Sequence, residues 1–495
     1  MINFTLSRRK ISVHFWRVQL LIFLIALTVG PILAVLVVQG QSLYAVALII
    51  FLPVAVLMNR YPFTAFMIWC IFIPLVPAKP EYRYLYWVFH RSLIPLAVGV
   101  NILSRMLKIQ EHKPVRIGWP DLAMAAYLVF GLITIVTNND FLENRKVVFA
   151  LYDRIFIAFC AYWLVRFLQP TDKELERLVS VLLFLLILEG VVVLTSWFFP
   201  GFIPRTWIAE GRLEGLRGTG TFREPAPLTS AVIFCSTFVL QSIMIRQKGL
   251  KKLFYMSSLG LAGISIIFSF SRGSWVSALI VLVIWILLYG RTILPFIITS
   301  ILIAVLLFST VFGNELNYAL SRLNSAQTAG SRLVLANAGQ RMFYEKPIFG
   351  WGYGSYDLHD WKFMERVGDY VPRQYEIKQG TSHNTYLTIL AETGIIGFSL
   401  YVFPYVWWLI MTVVIWPRLP RGQPSMEFFD WRFFMMLWAC LWFIITVSQF
   451  VDARFFWFTI GTQWFTLGLI ANFIDRYLNS DEMTMPRWLR NRSDI

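Results

Sequence analysis

The chain is built from a succession of apolar runs, most of them about 20 residues long, that follow one another from residue 18 to residue 474. A run of this length spans the hydrocarbon core of a bilayer as an α-helix. Hydrophobic residues make up 57% of the 495 residues, and charged residues make up only 15%. This composition excludes a disordered chain, a disulfide-rich secreted scaffold, a coiled coil and a soluble multidomain enzyme. We therefore expect an all-α polytopic membrane protein folded as a helical bundle.

The apolar runs predict about 12–14 membrane-spanning helices. The candidate spans lie near residues 18–39, 43–58, 61–78, 85–103, 119–137, 147–168, 175–199, 227–245, 253–270, 273–289, 292–312, 385–416, 430–449 and 455–474. They divide the chain into a tail (1–17), N-terminal transmembrane helices (18–199), a central region (200–416), a C-terminal hairpin (417–474) and a second tail (475–495). The central region includes two long loops, 200–226 and 313–384, and we expect short helices in the second.

The distribution of basic residues predicts the orientation of the chain. Lysine and arginine outnumber aspartate and glutamate by 44 to 28, which gives a net charge of +16. In a membrane protein such an excess is typical of cytoplasmic loops beside anionic lipid, so we expect the bilayer and no nucleic acid as a partner. With both tails in the cytoplasm, every second loop is basic. The basic residues expected at this face include Arg105, Lys173, Arg246, Arg418 and Arg476.

Both long loops face outward in this topology and break the charge rule. Residues 200–226 contain four arginines, and residues 313–384 contain eight basic residues. Arg272 lies on the same side, in the short turn between the ninth and tenth predicted spans. Because these residues lie on the outer face, the positive-inside rule does not explain their charge. Binding of an anionic substrate at the outer face would explain it.

The first candidate site is the segment Arg217-Gly218-Thr219-Gly220-Thr221-Phe222-Arg223-Glu224-Pro225. Glycines let a backbone approach a ligand closely, and arginine forks bind phosphate oxygens in pairs. Together these residue types suit a diphosphate. The alternative is an outer loop whose arginines pair with its own glutamates, and the segment alone does not exclude it.

The second candidate is Arg272, within Ser271-Arg272-Gly273. An arginine at the membrane boundary, between two strongly apolar spans, costs free energy unless it has a partner. The alternative is an interfacial arginine whose side chain extends to solvent. A turn of a few small residues leaves little room for that, so we favour a functional role.

The third candidate is the second long loop. Gly330-Ser331-Arg332 opens an amphipathic stretch, 333–344, that we expect to be a helix on the outer surface. The Gly350-Trp351-Gly352-Tyr353-Gly354 segment follows, and then His383 and Asn384 stand just before a long apolar run. Histidine titrates near neutrality, so His383 is a candidate base for an attacking hydroxyl. Asn384 is a candidate to orient it or to bind sugar. The alternative for His383 is a helix cap.

Other polar groups carry less information about function. The neighbouring opposite charges Asp153-Arg154 and Asp452 to Arg454 are expected to be ion pairs that fix helix packing. His359, with Asp357 and Asp360, is expected to be solvated rather than to bind a metal. The outer loops contain no Asp-x-Asp sequence.

The combination of motifs resembles the O-antigen ligase and O-antigen polymerase superfamily of bacterial membrane glycosyltransferases. The resemblance covers roughly residues 205–410. It rests on the Arg217–Pro225 loop, Ser271-Arg272-Gly273, Gly330-Ser331-Arg332, Pro347 with Gly350-Trp351-Gly352-Tyr353-Gly354, and His383-Asn384-Thr385-Tyr386-Leu387 with Gly394-Ile395-Ile396-Gly397. The central region 200–416 is accordingly the expected catalytic region.

The resemblance implies transfer of a glycan from a polyprenyl diphosphate carrier, at the periplasmic face of the inner membrane, without a metal or another cofactor. Ligases pass the glycan to lipid A-core and polymerases pass it to a carrier-linked repeat unit, so the acceptor stays open. Carried over by motif, Arg217 and Arg272 hold the diphosphate, Arg332 assists them, and His383 activates the acceptor hydroxyl. Three residues of the last signature are expected to support the site: Asn384, Tyr386 and Glu392.

A transporter or flippase of lipid-linked oligosaccharide is the alternative from another functional class. Such a protein would be expected to have related halves and broken helices near the membrane midplane. The polar signal of this chain lies instead in two outer loops, which favours the transferase.

Overall fold

The structure, a computed structural model, describes residues 53–76, 83–106, 117–138, 145–204, 218–310, 326–365, 382–419 and 428–478, together with residues 35, 38–40, 49 and 207. The described residues form helices, turns and irregular segments, and no strand occurs among them. The predicted all-α class is therefore confirmed. Arg217, the tail 1–17 and most of the predicted span near 18–39 lie outside the described residues.

The N-terminal half of the bundle begins with two short helices and ends with a long one. Its helices are α1 (Pro53–Arg60), α2 (Pro62–Leu75), α3 (Leu93–Met106), α4 (Trp119–Asn138), α5 (Arg145–Leu151), α6 (Ile157–Leu168) and α7 (Asp172–Phe198). Two π-helical turns, Trp87–Ser92 and Tyr152–Phe156, lead directly into α3 and α6. α7 starts with a capping box, in which Thr171 and Glu174 satisfy each other's backbone N–H groups.

The C-terminal half contains the helices that carry the sequence motifs. They are α8 (Pro225–Ile245), α9 (Gly249–Phe268), α10 (Arg272–Thr310), α11 (Ala326–Glu345), α12 (Thr385–Ile415), α13 (Trp431–Val447) and α14 (Trp457–Leu478). α10 consists of two helices that meet at a kink at Tyr289, where φ is −135°, and the first of them, Arg272–Gly290, coincides with the span predicted near 273–289. The predicted surface helix is present as α11, which buries Val334, Leu335, Ala338 and Met342 along one face.

Eight helices in the described part of the chain are long and apolar enough to cross a membrane. Each coincides with a predicted span, beginning with the one near 85–103. A ninth is added if α1 and α2, which are bent by 107° where they meet, count as a single span. α13 is shorter, at 17 residues. The chain is therefore a multi-pass helical membrane protein, as predicted from its hydropathy.

Different basic residues mark the two ends of the bundle. At one end, Arg105 and Arg476 donate hydrogen bonds to carbonyl groups near the α6–α7 turn, and Arg246 pairs with a carboxylate of α7. All three were predicted for the cytoplasmic face. α14 runs from this end to the other, and its 22 residues cover about 33 Å at 1.5 Å per residue. The motifs that oppose the charge rule lie at that other end.

The segment Pro347–Ser355 docks onto a break in α12 at Gly394. Gly394 has φ 60° and ψ −167°, which interrupts the helix. The N–H after Gly394 donates to the carbonyl of Pro347 at 2.9 Å, and the N–H of Gly352 donates to the carbonyl of Glu392 at 2.7 Å. The segment thus supplies partners for backbone groups that the break leaves open. This docking explains why the two glycine-containing motifs occur together in the chain.

Gly394→Ala should destabilise the protein by at least about 2 kcal/mol. A Cβ at this position would collide with the carbonyl oxygen of Ile348, and the backbone conformation is one that essentially only glycine adopts. Gly263→Ala in α9 is the matched control, because a Cβ there meets nothing within 4 Å. Thermal unfolding of the purified proteins in detergent measures the difference. Equal unfolding temperatures for the two variants would contradict the docked arrangement.

Candidate functional site

A buried glutamate holds the first outer loop against the bundle. Glu189 lies in the apolar helix α7 and is 2% exposed. Its carboxylate accepts hydrogen bonds from the N–H of Thr221 at 2.9 Å and from the Thr221 hydroxyl at 2.6 Å. Gly220 has φ 55°, and a Cβ there would collide with the same carboxylate. Glu189 was not predicted as a site residue, although a single carboxylate inside an apolar span is a signal for one.

The same loop also reaches the turn between α9 and α10. The N–H of Gly218 donates to the carbonyl of Phe268 at 2.7 Å. A Cβ at Gly218 would lie 3.1 Å from that carbonyl oxygen, which is closer than most side chains allow. Gly218 therefore contacts the chain four residues before Arg272. Arg217 precedes Gly218 but lies outside the described residues, so its predicted role stays a prediction.

Arg272 begins α10, next to a turn stabilised by hydroxyl groups. Phe270 takes a left-handed conformation with φ 47°. The hydroxyl of Ser274 donates to that of Ser271 at 2.9 Å and lies 2.8 Å from the hydroxyl of Thr229 on α8. These bonds join α8 to the turn and fix the backbone at Arg272, whose side chain is exposed at this end of the bundle.

Arg332 of α11 lies within the electrostatic range of Arg272. The Arg332 side chain is exposed to solvent at its surface. The protein around its guanidinium nevertheless removes part of the surrounding water, and this desolvation lowers the pKa of Arg332. The Arg272 cation lowers the pKa of Arg332 further, and the carboxylate of Glu224 opposes both effects. The structure thus brings together two of the three predicted diphosphate residues, with Glu224 beside them.

His383 directly precedes α12 in a strained backbone conformation. Its φ is 56°, a left-handed value that costs a residue other than glycine about 1–3 kcal/mol. Ser382 stabilises the conformation, because its hydroxyl donates to the carbonyl of Asn384 at 2.8 Å and accepts from the N–H of Asn384 at 3.1 Å. The His383 side chain is half-buried. Strain of this kind persists where surrounding contacts enforce it, and it is concentrated at functional sites.

Asn384 is the cap of α12. Its Oδ1 accepts hydrogen bonds from the N–H groups of Tyr386 at 3.0 Å and Leu387 at 3.1 Å. The cap function considered for His383 is therefore performed by its neighbour. The Tyr386 ring packs against the hydrophobic core, so this residue supports the start of the helix.

Residues 448–455, here called the bridging loop, connect the two parts of the site. Asn384 donates through Nδ2 to Oε1 of Gln449 at 3.1 Å. The next residue, Phe450, packs on the turn that begins α10, because a Cβ at Gly273 would lie 2.7 Å from its ring. The bridging loop therefore touches both the helix start at His383 and the arginine turn.

Glu392 belongs to a buried ionic cluster. Arg454, which is 1% exposed, donates to Oε2 of Glu392 at 2.8 Å and to Oδ2 of Asp452 at 2.7 Å. Burial alone would raise the pKa of Asp452, but the guanidinium of Arg454, assisted by Arg154, holds it below its usual range. The Arg454 guanidinium also lies 5.6 Å from the centre of the Tyr353 ring. The cluster connects α12, the bridging loop and the glycine-rich segment Gly350–Gly354 to one another.

The two predicted ion pairs have different outcomes. The pair between Asp452 and Arg454 is confirmed. The predicted pairing of Asp153 with Arg154 is wrong, because Asp153 accepts two hydrogen bonds of 2.6 Å from Arg91. Successive residues of a helix point about 100° apart, so a neighbour in sequence is seldom the partner in space.

In the portion of the chain that is described, no three His, Cys, Asp or Glu side chains are arranged to hold a metal ion. Of the three loop residues expected in solvent, Asp357 is exposed and His359 is half-buried, whereas Asp360 is completely buried. The prediction that Asp360 is solvated is therefore wrong. It begins the short turn Asp360–Lys362, and its burial raises the pKa of its carboxyl to about 7.

Comparison with known proteins covers part of the region that carries these motifs. A family model described as O-antigen ligase matches residues 257–402, which include Arg272, Arg332 and His383. An O-antigen ligase of Salmonella typhimurium is 30% identical over 190 aligned residues, and the match covers 36% of this chain and 44% of the relative. The chain thus spans less than half the length of that relative. The resemblance to the O-antigen ligase and O-antigen polymerase superfamily, predicted from the motifs, is confirmed over this region.

Proposed function

We propose that this protein is a membrane glycosyltransferase that moves a glycan from a polyprenyl diphosphate carrier to an acceptor hydroxyl. The acceptor is lipid A-core in an O-antigen ligase or a carrier-linked glycan in an O-antigen or exopolysaccharide polymerase. The reaction takes place at the periplasmic face of the bacterial inner membrane, without a metal ion. The similarity to an O-antigen ligase supports the class of reaction, and the arrangement of charged residues supports the face and the donor.

The observation that carries the proposal is the cluster of Arg272, Arg332 and Glu224 beside the helix start at His383. Two guanidinium groups within range of each other repel, and the carboxylate of Glu224 opposes the effect of Arg272 on Arg332. A diphosphate bound between the two guanidinium groups would offset their repulsion and accept paired hydrogen bonds from each of them. We expect Arg217 to join them, because Gly218 is bonded to the chain just before Arg272.

The arrangement suits a displacement at the anomeric carbon of the donor sugar. The bond between that carbon and the diphosphate oxygen breaks, and the departing diphosphate keeps the electron pair. The arginines stabilise the negative charge that develops there. His383 takes the proton of the acceptor hydroxyl as its oxygen bonds to the anomeric carbon. Attack on the face opposite the diphosphate inverts the configuration of this carbon.

The two ends of the bundle support the proposed orientation. Arg105, Arg246 and Arg476 lie at one end and follow the positive-inside rule, whereas Arg272 and Arg332 lie at the other end. Transport of lipid-linked oligosaccharide has less support, because the candidate site lies at one end rather than at the midplane.

Reconstitution with chemically defined substrates tests the function. Purified protein in vesicles is given a carrier-linked glycan together with lipid A-core, or with a second carrier-linked unit. We expect transfer to one acceptor, with release of the carrier diphosphate and with activity retained in the presence of a chelator. Movement of the carrier-linked glycan across the bilayer without any new glycosidic bond would favour the transporter instead.

Arg272→Lys should lower the rate of transfer roughly 10- to 100-fold, because lysine keeps the charge but loses the paired hydrogen bonds to a phosphate. Arg341→Lys is the matched control, since Arg341 is a half-buried arginine at the same end that pairs with Glu365. Initial rates with the same donor and acceptor measure both variants. If Arg272→Lys is as active as Arg341→Lys, Arg272 contributes charge alone or nothing.

A further inference from the structure

Arg154 presents a guanidinium at the same end of the bundle as His383. The carboxylate next to it in sequence, Asp153, is taken by Arg91. The structure records no hydrogen bond or ion pair between Arg154 and any described residue. Its guanidinium carbon instead lies 3.7 Å from the centre of the Phe455 ring, and Phe455 is 38% exposed. The carboxylates of Asp452 and Asp357 lie within its electrostatic range but form no ion pair with it, so the cation retains the capacity to bind an anion.

A phenol and a carboxylate lie within the electrostatic range of Arg154. Tyr353 is completely buried, yet its hydroxyl has no hydrogen-bond partner among the described residues. A buried tyrosine hydroxyl normally has one, so this group leaves a hydrogen bond open beneath the surface at Arg154. The carboxylate of Asp357 is exposed and also feels the charge of Arg154. An exposed ring, a phenol, a carboxylate and a guanidinium are the groups that pack on sugar rings and bind their hydroxyls.

The bridging loop relates this surface to the rest of the site. Near its start, Phe450 packs on the turn that begins α10, and at its end Phe455 lies against Arg154. Between these two rings, the loop is bonded to Thr385, which follows His383 by two residues. The bridging loop therefore contacts the helix start through residues 448, 449, 451 and 453, while its two rings contact the arginine turn and Arg154.

We infer that Arg154, Phe455 and Asp357 form the acceptor subsite, with the Tyr353 hydroxyl beneath them, and that Arg154 binds a phosphate or carboxylate carried by the acceptor glycan. The inference rests on the proposed glycosyl transfer and specifies its second substrate. The diphosphate of the donor then lies on the Arg272 side of His383, and the acceptor sugar lies on the Arg154 side. A base between the two is in a position to deliver the acceptor oxygen.

Arg154→Gln tests the subsite in the reconstituted protein, with the acceptor that the wild-type protein uses. We expect the KM for the acceptor to rise at least about tenfold while the KM for the donor is unchanged, because one charge-assisted interaction is lost. Direct binding of the acceptor, measured without donor, should weaken by the same factor. Arg154→Lys keeps the charge and should show a smaller rise in the acceptor KM. It replaces the glutamine variant as the test if that variant fails to fold.

Chemically altered acceptors identify the anionic group. One is freed of phosphate, and another has its carboxyl groups reduced to alcohols. The acceptor that lacks the recognised group should bind equally well to the wild-type protein and to Arg154→Gln. The control is Arg341→Gln, which removes a surface charge at the same end and should change neither KM.

An unchanged acceptor KM in folded Arg154→Gln, or an equal rise in the donor KM, overturns the acceptor subsite. If the acceptor KM of Arg154→Gln stays tenfold above that of the wild-type protein with both altered acceptors, Arg154 does not recognise an anionic group. Absence of transfer by the wild-type protein with any acceptor argues against the proposed function instead, so the two failures are distinguishable.

Discussion

His383→Asn should reduce glycan transfer by roughly 10²- to 10⁴-fold, the usual contribution of a positioned general base. Asparagine cannot accept a proton from the attacking hydroxyl at neutral pH. It is, however, one of the few residues that adopt a left-handed backbone easily, so it fits the φ of 56° at this position. The hydrogen bonds of Ser382 to the backbone of Asn384 need no side chain at 383. The variant should therefore fold and bind the donor.

Three measurements separate chemistry from folding in this variant. The unfolding temperature in detergent should match that of the wild-type protein, and the KM for the donor should stay the same. The rate of the wild-type protein should fall in acid as the imidazole takes up a proton, whereas the residual rate of the variant should lack that dependence. Such a profile is not expected if His383 only shapes the loop.

Gln169→Asn is the matched control for the backbone. Gln169 has φ 50°, which is also left-handed, but it ends α6 at the opposite end of the bundle. Placing asparagine there should leave the transfer rate unchanged. A folded His383→Asn protein that is as active as Gln169→Asn would remove His383 as the base, and the base would then have to be sought among other residues at that end.

The membrane-spanning architecture was predictable because hydropathy is a local property. An apolar run of bilayer length is a helix wherever it lies in the bundle, and eight such helices follow their predicted spans closely. The kink at Tyr289 was not predictable in this way. It separates the two helices of α10, and neither apolar run alone shows the direction in which the chain continues after the kink.

The site was predictable where residue type and topology disagreed. Arg272 and Arg332 were identified because they oppose the charge rule, and His383 because its neighbours form a specific signature. Their mutual arrangement depends on groups far away in sequence. Glu189 holds the first loop from the middle of an apolar span, and the bridging loop connects parts of the site that are more than 100 residues apart. The carboxylate of Glu189 inside an apolar span signals a site residue, but nothing local in the sequence indicates the partner in either contact.

The error at Arg154 has the same origin and a functional consequence. Adjacent opposite charges suggested a structural ion pair, which would have left Arg154 without a further role. The partner of Asp153 is supplied by another helix, through Arg91. The guanidinium of Arg154 consequently remains at the surface of the site, on the ring of Phe455.

Arg454→Met should destabilise the protein by about 3–5 kcal/mol, because it leaves two carboxylates buried without their cation. Glu392 is 3% exposed and Asp452 is 2% exposed, and Arg454 donates hydrogen bonds to both. The loss should also reach the site, since Arg454 fixes the bridging loop that holds Asn384 and packs against the arginine turn. We expect a lower unfolding temperature in detergent together with a lower transfer rate.

Neutralising the whole cluster distinguishes this mechanism from a simple loss of packing. The triple variant Arg454→Met, Glu392→Gln and Asp452→Asn removes the uncompensated charges and should recover most of the lost stability. Arg246→Met is the matched control, because it breaks an ion pair with Glu176 that is partly exposed at the other end and should cost at most about 1 kcal/mol. If the triple variant is no more stable than Arg454→Met, the buried charges are not what the arginine compensates. Recovery of stability without recovery of transfer would instead show that the cluster positions the site in addition to holding the fold.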